Sequence, residues 1–404
     1  MITLEEAQAI ILRKTQVLST LVVPHAKSLG YALSEDIYAS TDVPSFDNSS
    51  VDGYGVKIAD VDNASNAPVA LTLSHTVHAG ETTRKQLCSG ETFKIMTGAF
   101  VPKGVEAIIM REHARERKGR VIICRSAGAG QNIRKQGSEF LKGQSILQQG
   151  AIITPPVLGI LASLGVTRVT VIRKPTIGLL ITGDELISGK EKLSLAKVRD
   201  SNSSMLEGIL RILGVEKILT IRTKDNAVAI RKAILRLLDN DVLITVGGVS
   251  VGDRDLVKDQ LEAAGVQRHF WGIDMKPGKP NYFGSHATGK RRTLVFGVPG
   301  NPVSAAVSFK KLIEPAIWKM QGAKQTILRM RATLKDTMQP DKHRVEFARG
   351  ILETKEGNLY VTPVRGQGSG MLGGLAEANV LIKLLPGDSE IAKGSEVEVE
   401  LLHW

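Results

Sequence analysis

The chain is poor in residues that would announce several common chemistries. Two cysteines occur in 404 residues, Cys88 and Cys124, with no CxxC pair and no Cys/His cluster at zinc spacing. That argues against both a disulfide framework and a structural zinc site. Aromatic residues make up only 4%, so the base-stacking platforms of single-strand nucleic-acid binders are missing. No apolar run approaches the roughly 18–20 residues of a membrane span; Arg168 and Lys174 break the most apolar stretch, 157–181. The opening MITLEEAQ carries two acids where an export signal carries its basic segment. The expectation is a cytoplasmic protein with no membrane contact.

What is present begins with charge: 53 Lys+Arg against 41 Asp+Glu, a formal +12. Half of the excess is local. Between positions 111 and 142 nine basic residues face Glu112, Glu116 and Glu139, and 111–120 reads as a solvated hairpin tip. Such a balance suits nucleic acid, a membrane surface or small anionic substrates; with few aromatics to accompany it, nucleic acid is not expected. His75 and His78, three apart in a β-like stretch, point to opposite faces and read as solvated surface.

The pattern along the chain separates several parts. Thr3 and Glu6 form a capping box, and Leu4, Ala7, Ile10, Ile11, Lys14, Val17 and Leu18 keep a helical period, predicting a helix that ends before Pro24. From about Asp42 to Gln149 short β-like runs alternate with Gly, Pro, Asn and Asp, and the run at 107–110 reads as the partner of 121–124. Segment 45–55 is too polar and glycine-spaced for a core strand. Thr154 to Pro156 opens an apolar helix through Ser163, and a strand at 168–172 follows. From Thr176 to Gly322 apolar β runs alternate with amphipathic helices at about 203–213, 227–238, 255–264 and 302–320. That alternation specifies a three-layer, mainly parallel α/β sheet. The remaining 80 or so residues return to β, as a C-terminal barrel.

Ligands of open α/β sheets collect beyond the carboxyl ends of the strands, and those loops carry the unusual residues. Asp184 and Glu185 follow the first strand, Asp200 and an Asn202/Ser204 cap precede the next helix, with Ser204 and Glu207 as a second capping box, and Asp225 follows the second strand. GlyGlyValSerValGlyAspArgAsp (247–255) has two glycines that let successive N–H groups face an anion. LysProGlyLysPro (276–280) holds two ammonium groups on a stiff loop, and ProGlyAsnProValSer (299–304) places Asn301 and Pro302 at a helix start. Lysines and backbone N–H groups suit phosphate or oxyanion. Asp184, Glu185, Asp225 and Asp255 suit a hard cation such as Mg²⁺.

Seven stretches in this order resemble the molybdopterin molybdenumtransferase family, the bacterial MoeA proteins and the E domain of gephyrin: 46–56, 95–108, 130–139, ThrGlyAspGluLeu (182–186), 247–255, 276–280 and GlyValProGlyAsnProValSer (297–304). The resemblance implies an α/β molybdopterin-binding domain at 173–323, a β-rich insert at 45–140, a linker from 27–44 and 141–172, an N-terminal helix within 1–26 that packs with the α/β part, and a β barrel at 324–404. It implies insertion of molybdate into adenylylated molybdopterin with release of AMP, Mg²⁺ as cofactor, and a homodimer whose active site is composite. The catalytic residues so implied are Asp52, Thr97, Glu185, Asp225 and Asp255, with Glu185, Asp225 and Asp255 on the metal. The implied substrate-binding set is Glu139, Asp184, Ser201, Asn202, Gly247, Gly248, Ser250, Gly252, Lys276, Lys279, Pro299, Gly300, Asn301, Pro302, Ser304 and Ser369. Three departures stand out. Ser138 and Glu139 occupy positions where the family has Glu and Asp, removing one negative charge beside Arg134 and Lys135. Gly55 replaces an alanine, which reads as a looser turn, and 373–380 matches the family barrel only loosely. The alternatives are the related adenylyltransferase, which needs little more than the α/β domain, and a non-catalytic molybdopterin-binding scaffold.

Overall fold

The computed structural model describes residues 1–404 except 188, 190, 249–255, 290, 325 and 326. It divides into two compact units. One comprises Met1–Ser34, Gly150–Leu158 and Arg168–Trp404, the other Glu35–Gln149 and Gly159–Thr167. Among the described residues no helix is long and apolar enough to cross a membrane.

The larger unit is built on a six-stranded sheet in the order Ile218–Thr223, Ile177–Thr182, Val242–Val246, Arg291–Val298, Tyr282–Thr288, Gln267–Trp271. The first four are parallel, Tyr282–Thr288 runs antiparallel to them, and Gln267–Trp271, antiparallel to Tyr282–Thr288, returns to their direction. Strand alternation feeds two cores. Ile177, Leu179 and Ile181 pack with Leu206, Ile209 and Leu210 of helix Asn202–Ile212, and with Leu4, Ala7 and Ile11 of the N-terminal helix. Leu180, Leu243 and Val295 face the helices Ala227–Leu237 and Leu256–Ala263 on the other side. The expected three layers are therefore present. The central strands Ile177–Thr182 and Val242–Val246 send their following helices to opposite faces, which makes the gap between their carboxyl ends the topological switch point.

Several local expectations are corrected. The N-terminal helix has its capping box but ends at Lys14, where the Thr15 side chain and N–H both turn back to Ile11 O; Val17 and Leu18 lie beyond it. β-Branched Thr20, Val22 and Val23 then form strand Thr20–Pro24, antiparallel to Arg168–Ile172. Tyr282–Thr288, whose Gly284, Ser285 and His286 hide the apolar pattern, is an additional strand. The Ser204/Glu207 capping box does not form: Asp200 accepts from Ser203 N and Oγ, and Glu207 accepts from Thr220 Oγ1.

The C-terminal segment closes as a five-stranded barrel in the order Val345–Lys355, Asn358–Pro363, Arg329–Leu334, Glu396–Leu401, Val380–Leu384, the last pairing again with the first. Ala332, Leu334, Ala348, Val361, Val380, Ile382 and Val399 fill it. The short strand Met275–Lys276 of the α/β part adds parallel to Val345–Glu346.

Below the sheet, Arg173 grips both oxygens of Asp241 at 2.7 Å while Thr176 N donates to the same carboxylate at 2.8 Å. Burial alone would raise this carboxyl; the Arg173 and Thr176 bonds more than reverse that and hold it below its ordinary value. A carboxyl lowered on folding stabilises the fold fully above its unfolded pKa of about 4, and that contribution is lost as pH falls through the lower folded value. The gap in urea midpoint between the parent and Asp241→Asn is thus expected to be wide at pH 7 and to shrink on acidification below pH ~4.

The smaller unit carries a mixed sheet in the order Ala107–Met110, Gly53–Val56, Glu91–Ile95, Val69–Val77, Arg120–Ile123, Ala114–Arg117. The run at 107–110 therefore pairs with Gly53–Val56 and not with 121–124. The latter pairs with Val69–Val77 and forms the hairpin across Lys118 and Gly119, both at positive φ, where the tip was expected. Gly53–Val56 is a fully buried inner strand, contrary to the reading of 45–55 as loop. Its glycines are there for closeness: a Cβ on Gly53 would sit 2.2 Å from Ile109 O, and one on Gly55 would sit 2.7 Å from Ile95 Cδ1. Gly55 thus belongs to a strand and loosens no turn. Gly53→Ala should cost about 1–3 kcal/mol as an overpacked sheet, measurable as a lower denaturant midpoint.

Candidate active site

At the switch point the strand ends and loops enclose a crevice of about 600 Å³. An adjoining recess of about 210 Å³ reaches down between Thr182 and Gly247. Glu185, Leu186, Asn202, Gly247, Gly248 and Gly300 border both, and Asp225 borders the recess. Ser201, Pro299, Asn301 and Pro302 line the larger space. Ser304 lies in the helix behind and is buried.

Glycine makes the shape possible. Gly247 and Gly248 have φ of 84° and 65°, a left-handed backbone that other residues avoid. A Cβ at Gly248 would meet Val257 Cγ2 at 2.4 Å. The floor is polar and underused: Asn202 Nδ2 donates to Gly300 O at 2.7 Å, but Asn202 Oδ1 and Thr182 Oγ1 are buried without a hydrogen-bond partner among the described residues. Buried polar atoms are normally satisfied, so a bound polar group is the natural complement to this floor.

Glu185 and Asp225 border it, whereas Asp184 is outside the lining. Asp184 N donates to Asp225 Oδ2 at 3.3 Å and Asp225 N returns a bond to Asp184 Oδ1 at 3.2 Å, tying the two strand-end loops together. Glu185 is exposed at the recess mouth. Asp255, Ser250 and Gly252 lie outside the described residues. Among the described residues no group of three His, Cys, Asp or Glu is placed to hold a metal. The hard oxygen donors Glu185 and Asp225 still match Mg²⁺, which commonly takes one or two carboxylates and completes its shell with water and substrate phosphate.

The expected cationic and helix-end groups are placed unevenly. Lys276 Nζ donates to Glu346 at 3.2 Å and lies 3.9 Å from Asp341 on the barrel, so its ammonium is already engaged. Lys279 is exposed, and its carbonyl accepts from Ile273 N and Asn281 N. Asn301 occupies the cap position of helix Pro302–Ser308, yet its side chain makes no cap bond. Instead Asn301 Nδ2 donates to Ser369 Oγ at 3.0 Å, and Val303 N donates to Ser369 O at 3.0 Å. The barrel loop thus closes the helix start that the sequence offered to an anion. A cation the sequence reading passed over, Arg199, lines the crevice.

A second residue it passed over stands behind Ser369. Arg349 is buried at 1% exposure. Its guanidinium donates to Gly366 O at 2.9 Å, Gly368 O at 3.2 Å and Met371 O at 2.8 Å, and its backbone N donates to Gln367 Oε1 at 2.9 Å. One side chain therefore shapes the whole 366–371 loop. Its position in an apolar strand, just before Gly350, was the available signal.

In the smaller unit Asp52 and Thr97 do meet. Thr97 N and Oγ1 donate to Asp52 Oδ1 at 2.8 and 2.7 Å. These bonds, aided by the nearby Arg111 charge, hold the Asp52 carboxyl below the usual range. Glu139 is exposed, with its N–H on Val43 O, and Lys135 pairs with Asp47 at 2.7 Å.

Comparison with known proteins follows the same division. The profile described as "MoeA N-terminal region (domain I and II)" matches residues 2–165, "Probable molybdopterin binding domain" matches 178–319, and "MoeA C-terminal region (domain IV)" matches 331–402. The molybdopterin molybdenumtransferase of Haemophilus influenzae is 34% identical over 91% of this chain and 90% of its own length. The chain belongs to the molybdopterin molybdenumtransferase family. The protein of that name from Bacillus subtilis is 33% identical over 93% of this chain and 88% of its own. The crystal structure of a molybdopterin biosynthesis MoeA protein from Pyrococcus horikoshii superposes with a TM-score of 0.83 at 28% identity, covering all of both chains. The crevice described above lies within the residues that match the probable molybdopterin binding domain, and Ser369, within those that match the C-terminal region, bonds Asn301 at its wall.

Proposed function

We propose that this protein is a transferase of molybdenum cofactor biosynthesis, inserting molybdate into adenylylated molybdopterin with release of AMP. The observation that carries the reading is the crevice at the switch point: a polar floor with uncommitted Asn202 Oδ1 and Thr182 Oγ1, walled by glycines and bordered by two carboxylates. The names of its relatives and of the matching central domain support a molybdopterin substrate. In this reading Asn202 and Thr182 hold polar atoms of the pterin, and the N–H groups around Gly247 and Gly248, with Arg199 and Lys279, hold phosphate oxygens. Glu185 and Asp225, with Asp255, would hold Mg²⁺, whose charge favours attack at phosphorus by neutralising the phosphoryl oxygens. The Asp52–Thr97 pair enters as a composite partner of the crevice in a homodimer, as the family resemblance suggests; an ionised Asp52 can order an attacking water. A cytoplasmic location fits substrates of this kind.

The decisive assay follows AMP from purified protein given adenylylated molybdopterin, Mg²⁺ and molybdate, beside Asp255→Asn. Molybdate-dependent AMP release that disappears in the variant is the expected result. Tight substrate binding with no AMP release by the parent protein would replace the enzyme with a scaffold.

A further inference from the structure

At the opposite end of the same sheet, where the parallel strands begin, a smaller hollow of about 180 Å³ opens beside the end of the N-terminal helix. Its wall carries four cations, Lys14, Arg173, Arg291 and Arg292, against one carboxylate, Asp241. That carboxylate is spent on Arg173 and Thr176. Arg291 leans away to Asp239 at 3.4 Å. Lys14 and Arg292 have no side-chain partner among the described residues.

The charges converge. His269, whose Nε2 sits 2.8 Å from Ser285 Oγ, is pushed below the usual imidazole range by burial first and then by Lys14, Arg292 and Arg13. Arg13 and Lys14 gain something from the negative end of their own helix. Arg292 lies on a strand and owes nothing to it. Gathering like charges around a concavity is unfavourable unless an anion shares the space.

We propose that this hollow is a second anion site, taking a tetrahedral oxyanion of the phosphate class, free or as the end group of a monoester. Lys14 and Arg292 supply the charge. Arg173 is the fixed wall, and Ser19, whose Oγ accepts from Arg173 Nε at 3.2 Å, keeps its hydroxyl proton for the ligand. The volume is below the roughly 300 Å³ at which pockets begin to enclose drug-sized molecules, so the body of a nucleotide would stay outside. A sheet strand of five or six residues, roughly 17–20 Å, separates this site from the crevice, and the inference does not depend on the function proposed there.

The test is calorimetric titration of the full chain with inorganic phosphate and, separately, with AMP. Three variants are compared: Lys14→Ala/Arg292→Ala, Arg292→Lys, and Lys279→Ala, the exposed lysine assigned to the other site under the proposed function. The expected result is one phosphate-binding event that weakens at least tenfold in the double variant, persists in Lys279→Ala, and is largely kept in Arg292→Lys. AMP binding at least as tightly as phosphate through the same residues assigns the site to monoesters; phosphate binding without AMP assigns it to the free ion. Unchanged phosphate binding in the double variant, or binding lost only with Lys279, overturns the proposal. All altered side chains are at least partly exposed, and a melting curve of each variant checks that the fold is retained.

Discussion

Glu185→Gln should abolish most AMP release, by about 100-fold or more, while leaving molybdopterin binding and the melting temperature close to those of the parent. The magnitude follows from removing one preorganised charged group from a site that stabilises a phosphoryl transition state. Glu185 is exposed and borders both the crevice and its recess, so its loss costs the fold little. Glutamine keeps the shape and one oxygen but not the charge. In the proposed chemistry that charge matters twice, as a hard donor for Mg²⁺ and as the counterweight that fixes the metal against phosphate. The loss should therefore appear in kcat with a small change in substrate affinity. Raising Mg²⁺ should recover part of the rate. Full activity in Glu185→Gln would remove this carboxylate from the mechanism and leave Asp225 and Asp255 to account for it.

The parallel part of the sheet was readable from sequence because buried parallel strands are continuous apolar runs, as in Ile177–Thr182 and Val242–Val246, and their loops could be assigned to one edge without coordinates. The strands that escaped notice break that rule for physical reasons. Tyr282–Thr288 is antiparallel and carries Gly284 and Ser285 among its apolar residues. Gly53–Val56 is half glycine, because Ile109 O and Ile95 leave no room for side chains. Residue types at the site were legible, but their partners were not. Nothing near Lys276 in sequence predicts Glu346, seventy residues on, and nothing near Asn301 predicts Ser369. Sequence spacing reports which groups share a strand end; it does not report which of them a distant loop has already claimed.

Arg349→Ala should be the most damaging single change outside the acidic residues. The guanidinium is almost wholly buried and pairs with no carboxylate among the described residues; burial pushes its pKa below the usual value, and its compensation is hydrogen bonding to the carbonyls of Gly366, Gly368 and Met371. Truncation strips three acceptors of a charged donor and leaves a void, for a combined cost of about 3–5 kcal/mol. The melting transition should fall by roughly 6–20 °C at about 2–4 °C per kcal/mol for a unit of this size. A functional consequence follows from the same contacts. The loop that loses its organiser carries Ser369, whose carbonyl and hydroxyl hold Val303 N and Asn301 Nδ2 at the crevice wall. KM for adenylylated molybdopterin should rise while kcat at saturation is less affected, since Arg349 touches loop and not substrate. Arg349→Lys discriminates between charge and geometry. A lysine restores the cation but has no planar fork to span three carbonyls, so stability should recover partly and KM should stay high. A lysine variant with parental KM would show that charge alone organises the loop.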